Sequence, residues 1–542
     1  MRRFKPAAVA FVLALWLLPL FVTLEFRPIL PVDETRVVSV AWEMWNRGDF
    51  LVPSLNGVPY ADKPPLLFWI IHLGWALTGV NAWWPRLVPA LFALACLYLT
   101  HRLGRRLWPQ MPEAAGAATL VLLGTTFWSA FSTGLVYDTT LSFFVLCGAL
   151  GLLHAWQGRR WQGFALFGVS AGLGILAKGP VALLHLGLPA LTAPWWMQEN
   201  RPPWSRWYLG LAAATLLGLV LAAAWALPAA RAGGEAYAQQ ILWHQTADRM
   251  VSAFAHRRPF WWYLPLLPLL LFPWIAWPPL WRSLRSLIVS PDSGIRLTLI
   301  WSGLGLVAFS LLSGKQAHYL LPLLPPFALL AGRGLAQNPA IRPSDVLLPA
   351  AGLVLLGGLF SLTPFLGARL HLPSWTEELP VVTGLTIAGA GLALAVLKFS
   401  HSSLETAKLA LASVFTVATF QAGLSLPVWG AYDLGPISAR LKVLEDDGAP
   451  LAHVGKYHGQ FQFLGRLEHP LEVIEPRDLS PWLARHPSGR AIVYLPPGDP
   501  LLDEAEFLQP FRSRFVAIVG ARAVARLAAG HPTGMPTSEA EP

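Results

Sequence analysis

Apolar runs long enough to cross a bilayer recur from the N-terminus to about residue 430, and this recurrence restricts the chain more than any other feature. A hydrocarbon core about 30 Å thick takes roughly 20 apolar residues of helix. No backbone donor or acceptor can be left facing lipid, so a chain with many such runs folds as a helical bundle in a membrane. The candidate spans are residues 7–24, 84–102, 114–132, 136–156, 164–178, 181–197, 207–228, 260–281, 297–313, 318–332, 346–364, 380–397 and 407–428, about thirteen helices. The composition agrees: 54% of residues are hydrophobic and 13% charged, too little charge to cover a soluble surface. The 26 Trp suit membrane–water interfaces, and the 48 Pro are tolerated in spans whose neighbours re-satisfy the freed carbonyls. The opening residues resemble a signal peptide, but no small-residue cleavage site follows, so 7–24 is expected to stay as the first span.

A net charge of +10 raises the possibility of a nucleic-acid partner. The placement of the bases argues against it. They form short clusters between apolar runs: Arg2, Arg3 and Lys5; Arg102, Arg105 and Arg106; Arg159 and Arg160; Arg201 and Arg206; Arg282, Arg285 and Arg296; Arg333 and Arg342; Lys398 and Lys408. Every second loop is basic, which places the N-terminus in the cytoplasm and, with an odd number of spans, the C-terminal region outside. Cys96 and Cys147 lie in apolar runs with no CxxC or metal spacing, and are read as small buried hydrophobes rather than a disulfide. No Walker A or dinucleotide glycine fingerprint is present, which disfavours nucleotide-driven transport.

The chain divides by composition into a membrane region, 1–430, with a long outer loop at 25–83, a soluble domain at 431–530, and a polar tail at 531–542 that reads as disordered. In the soluble part, 452–455, 471–475, 491–496 and 515–520 read as strands, and 436–447 and 500–508 as helices, a small α/β domain.

Acids and bases in the outer segments need explaining. Asp33 opens an amphipathic stretch through Trp45, and is either a helix-capping acid or a general base. Tyr60, Asp62 and Lys63 precede two prolines that rigidify the entry to the next span; Lys63 is either a snorkelling lysine or a cation for a phosphate. Asp138 heads the fourth span, as a cap or as part of a site. Lys178 stands at the outer junction of two spans, where snorkelling is the simpler reading. His244 and Arg249 lie in the outer loop 229–259, five residues apart and so about 140° apart on a regular helix. Lys315, His318 and Tyr319 fall at another outer end. Several outer cations together suggest an anion-binding cavity.

Taken together these motifs resemble the polyprenyl-phosphate-sugar glycosyltransferases of the GT-C fold, most closely the bacterial aminoarabinose (lipid A) transferases and their relatives the protein O-mannosyltransferases. The resemblance rests on DETR (33–36), GDFLVPSLNGVPY (48–60), KPPLLFW (63–69), AKGP, a His and an Arg in the long loop, PFWWYLP (259–265) and K-x-x-x-Y-L-L-P (315–322). It implies an all-α polytopic membrane enzyme with a small C-terminal soluble α/β domain, in a bacterial inner membrane, with its site on the outer side. It further implies that Asp33 is catalytic, with Asp138 as a second acid, and that Arg36, Lys63 and Arg249 bind the carrier phosphate. Tyr60, Tyr319 and Lys315 would belong to the donor pocket. Asp62 and His244 match a carboxylate–imidazole pair that holds a divalent metal such as Zn²⁺, although the family more often has Glu where Asp62 stands. The implied partners are a polyprenyl-phosphate sugar, a lipid or protein acceptor and the bilayer, with no nucleic acid. A transporter would instead show charges deep in mid-membrane and repeated halves.

Overall fold

The computed structural model of the protein describes residues 6–242, 257–337, 339–397, 399 and 401–523. By contacts the chain forms two compact units: one of residues 1–25, 61–361 and 381–422, the other of 26–60, 362–380 and 423–542.

The first unit is helical. Among the described residues, seven helices are long and apolar enough to cross a membrane: Pro6–Phe26, Trp83–Leu107, Tyr137–Trp156, Trp204–Gly233, Ser293–Leu311, Pro343–Leu366 and Ser402–Ser425. Five shorter apolar helices accompany them: Leu66–Thr78, Pro112–Gly124, Val181–Leu191, Phe260–Leu270 and Val381–Val396. Length and composition alone thus mark seven of the thirteen expected spans. Two of the other expected spans, 164–178 and 380–397, are continuous helices, Arg160–Lys178 and Val381–Val396, and two are broken where proline is dense. Residues 260–281, expected as one span, are a 3-10 turn at Phe260–Leu266, a short helix at Leu267–Leu270, a second 3-10 turn at Trp274–Ala276 and the start of an amphipathic helix at Pro278–Val289. Pro265, Pro268, Pro273, Pro278 and Pro279 each withhold a backbone donor, so no continuous helix can form. The expected span 318–332 is likewise a 3-10 turn, Ala317–Leu323, followed by the helix Leu324–Leu335, with Pro322, Pro325 and Pro326 at the change.

Close helix contacts rest on small residues. A Cβ on Gly163 would stand 2.3 Å from the backbone N of Ala155, so only glycine lets Arg160–Lys178 approach Tyr137–Trp156 this closely. Trp128, Trp196, Trp274, Trp277 and Trp301 fill the interior of this unit at 2% exposure or less.

The second unit is built on a mixed five-stranded sheet of β3 (Leu451–Val454), β4 (Glu472–Ile474), β5 (Arg490–Leu495), β6 (Phe507–Phe511) and β7 (Arg514–Gly520), in the order β4-β3-β5-β7-β6. β3 runs parallel to β4 and β5, whereas β7 is antiparallel to β5 and β6. Alternate strand residues feed opposite faces: Ile492, Val516 and Ile518 pack with the helix Gly435–Asp446, and Ala491, Val493 and Ala517 pack with Trp482 and Leu483. The four expected strands and the first helix are present. The expected helix at 500–508 is not: a 3-10 turn at Pro500–Leu502, capped by the Asp499 side chain, gives way to β6. Gln509 and Phe511 point inward while Leu508 and Pro510 stay exposed, a period of two that belongs to a strand.

Residues 26–60 belong to this unit. The amphipathic stretch forms the helix Asp33–Arg47, followed by the hairpin β1 (Ser54–Leu55) and β2 (Val58–Pro59). Buried Ser39 donates to the Gly459 carbonyl at 2.7 Å and accepts from the Phe463 N–H at 3.2 Å, and Trp42 donates to the Leu467 carbonyl at 2.8 Å. Asn56 completes the join, donating to the Leu471 carbonyl at 2.9 Å and accepting from Leu471 N–H and Gln462, both at 2.8 Å.

Candidate active site

In the first unit the ends of several helices bring acids, bases and aromatic rings together. Asp138 is the second residue of Tyr137–Trp156, yet its side chain caps nothing. It is 2% exposed and accepts a hydrogen bond from Lys178, the last residue of Arg160–Lys178. Lys178 is therefore the partner of the buried acid rather than a lysine snorkelling to water. His318 approaches the other Asp138 oxygen at 3.9 Å. Aromatic rings wall the pair: Lys178 Nζ is 4.7 Å from the Tyr319 ring centre, Phe131 stacks with His318 at 6.0 Å, and Lys63 Nζ lies 5.8 Å from the Tyr137 ring centre. Such faces attract cations and can equally receive a sugar ring.

The motifs PFWWYLP and K-x-x-x-Y-L-L-P meet here. The Tyr263 hydroxyl donates to the Gln316 carbonyl at 3.1 Å, and Arg258 N–H donates to the Ser313 carbonyl at 3.2 Å. Lys315 is 3% exposed, and its ammonium donates to the carbonyls of Arg258, at 3.0 Å, and Leu312. The lysine thus ties the loop that presents His318 and Tyr319.

Asp33, Arg36 and Tyr60 belong to the second unit. Val32, not Asp33, occupies the cap position of Asp33–Arg47, and the Asp33 side chain is 94% exposed, 3.9 Å from Arg36. This geometry removes the helix-capping reading of Asp33. Its neighbour Glu34 has a structural part: it accepts from Arg27 at 2.7 Å and from Leu30 N–H at 3.0 Å. Arg36 Nε is buried without a hydrogen-bond partner. Tyr60 N–H donates to the Pro53 carbonyl at 2.7 Å, which closes the hairpin. Asp62 is exposed, and His244 and Arg249 lie outside the described residues. Among the described residues no group of three or more His, Cys, Asp or Glu is placed to hold a metal ion.

Residues 62–227 match the dolichyl-phosphate-mannose-protein mannosyltransferase family. An undecaprenyl phosphate-alpha-4-amino-4-deoxy-L-arabinose arabinosyl transferase of Pseudomonas fluorescens (strain Pf0-1) is 29% identical over 71% of this chain and 70% of its own length. One from Pseudomonas aeruginosa (strain LESB58) is 33% identical over 64% of this chain, and the match spans 63% of that relative, less than two thirds of it. Among solved structures, ArnT from Cupriavidus metallidurans bound to undecaprenyl phosphate superposes with a TM-score of 0.74 at 22% identity, covering 96% of this chain and 99% of that one. The chain has the fold of the aminoarabinose transferases. The apo form of the Cupriavidus metallidurans ArnT gives a TM-score of 0.75 at 20% identity over 95% of this chain. The chain thus resembles the aminoarabinose transferases in sequence as well as in fold, as the motifs led one to expect.

Proposed function

We propose that the chain is an integral membrane glycosyltransferase that moves an aminopentose from a polyprenyl phosphate to a lipid A-like acceptor on the outer side of a bacterial inner membrane. The observation that carries the reading is the buried Asp138–Lys178 pair, walled by Tyr319 and His318 and flanked by Lys63, in a fold shared with ArnT. The names of the Pseudomonas relatives supply the pentose and the undecaprenyl carrier. The acceptor oxygen attacks the anomeric carbon from the face opposite the phosphate. The sugar–phosphate C–O bond breaks, and its electron pair leaves with the phosphate, giving inversion. Lys63, Arg36 and Arg249 take up that charge, which is worth most in a dry cleft. Asp33 takes the proton when the acceptor is a hydroxyl, and a phosphate acceptor needs no base. An odd number of spans with a cytoplasmic N-terminus completes the proposal, with 26–60 and the C-terminal sheet outside.

A second reading, transfer of a hexose to protein, is favoured by the mannosyltransferase match over 62–227. Purified chain incubated with radiolabelled aminoarabinosyl- or mannosyl-polyprenyl phosphate, and with lipid A or peptide acceptors, separates them. Label moving from the aminoarabinosyl donor to lipid A alone supports the first reading, and label reaching peptide from the mannosyl donor replaces it. A divalent metal held by Asp62 and His244 stays a separate proposal, because His244 lies outside the described residues, and no step above runs through one.

A further inference from the structure

A cavity of about 350 Å³ opens at the amphipathic helix Pro278–Val289, lined by Ile275, Pro278, Trp281, Arg282, Arg285 and Leu348. It lies away from the candidate active site. The helix Ser293–Leu311 begins just after this cavity's helix and ends beside Lys315; its 19 residues span about 28 Å at 1.5 Å each. That length crosses a hydrocarbon core, so with this helix as a span the two places lie toward opposite leaflets.

The walls of the cavity are fixed. Trp281 Nε1 donates to the Ile275 carbonyl at 2.7 Å, which holds the indole against the rim. Arg282 is spent internally: it donates to both Asp345 oxygens, at 2.9 and 2.6 Å, and to the Ala340 carbonyl at 2.8 Å. That fork neutralises Asp345, a buried carboxylate behind the Arg282 wall. Arg342 adds a further positive charge near it. Arg285 is exposed and, among the described residues, forms no ion pair. Trp281, Arg285 and Ile288 recur at spacings of four and three, so they form one exposed stripe of aromatic, basic and apolar character. Leu280, Leu284 and Leu287, about 100° round the helix from that stripe, are buried in the bundle.

We propose that this cavity binds the phosphodiester headgroup of an anionic phospholipid in the leaflet opposite the active site. The phosphate sits on Arg285, Trp281 covers the glycerol backbone at the interface, and the acyl chains run along Ile275 and Leu348. Charge complementarity selects this occupant. The free cation faces the lipid boundary beside apolar walls, where a soluble anion would gain nothing from Leu348, 61% exposed.

The test is lipid retention by the full-length protein, purified from detergent mixed with equal phosphatidylglycerol and phosphatidylcholine and read by native mass spectrometry. Wild type should retain phosphatidylglycerol preferentially. Arg285→Gln should lower that retention about tenfold, the loss of one charge-assisted contact, while Arg285→Lys keeps most of it. Trp281→Ala should lower retention of both lipids at this site. Thermal midpoints in lipid-free detergent should match wild type for Arg285→Gln, which excludes misfolding as the cause. Equal retention of the two lipids by wild type, or unchanged retention in Arg285→Gln, overturns the proposal. So does displacement of the lipid by inorganic phosphate alone, because the occupant would then be a soluble anion.

Discussion

Asp138 and Lys178 are a buried ion pair, and neither can be removed alone without leaving an uncompensated charge, at a cost of roughly 3–5 kcal/mol. Lys178→Met should therefore depress the thermal midpoint sharply and abolish transfer. The double variant Asp138→Asn/Lys178→Met should regain the midpoint and not the transfer. Thermal unfolding together with a single-turnover assay checks this, and a double variant with the wild-type rate would make the pair purely structural. Lys63, over the face of Tyr137, is expected to act on the donor. Lys63→Ala should weaken donor binding and cost about 10²-fold in turnover, the scale of one lost charge-stabilising group. Normal turnover at normal expression would make it a snorkelling anchor. Asp33→Asn keeps size but loses basicity. With a hydroxyl acceptor, turnover should fall roughly 10²–10⁴-fold while donor affinity survives. With a phosphate acceptor the loss should be smaller and nearly independent of pH around neutrality. Turnover and donor affinity measured across pH decide between the two, and wild-type turnover at every pH would move the catalytic centre to Asp138.

At the scale of elements, the sheet carries its own pH dependence. His453 in β3 is fully buried, its ring nitrogens 3.2 Å from the Gly455 carbonyl and 3.4 Å from the Tyr494 hydroxyl. Burial pulls its pKa down to about 4. A depressed histidine is neutral in the fold and protonates first in the unfolded chain, so stability is complete above about pH 6.5 and falls as pH drops toward 4. The loss amounts to about 3 kcal/mol at its limit. Amide exchange in β3 and β5, corrected for intrinsic rates, should speed up between pH 7 and pH 4.5 in wild type and change far less in His453→Gln. The elements also show where sequence reading stops. Strands β3, β4, β5 and β7 were legible because short β-branched runs stood between turns. In sequence the 500–508 segment fits a helix as well as a strand, and only the pairing of β6 with β7 fixes a period of two. The broken segment after Pro259 read as a span because a hydropathy window does not count missing donors.

For the whole molecule, the alternation of basic loops predicts that reporters fused after Arg106 and after Ala431 lie on opposite sides of the membrane. Agreement between the two would overturn the orientation. The membrane class and the resemblance to the aminoarabinose transferases were readable from linked motifs. The partner of Asp138 was not, because Lys178 stands on another helix and only packing brings them together. Nor could composition show that 26–60 folds with the C-terminal region, since that join rests on hydrogen bonds from Ser39, Trp42 and Asn56 to residues more than 400 positions away. Those bonds set a schedule for biogenesis. The helix Asp33–Arg47 emerges early, yet everything from residue 61 to 422 is synthesised before its partner segment begins. At roughly 5–20 residues per second the wait is on the order of half a minute. Throughout it the faces of Ser39 and Trp42 stand uncovered, so a nascent chain stalled before residue 423 should be a preferred client of chaperones and proteases.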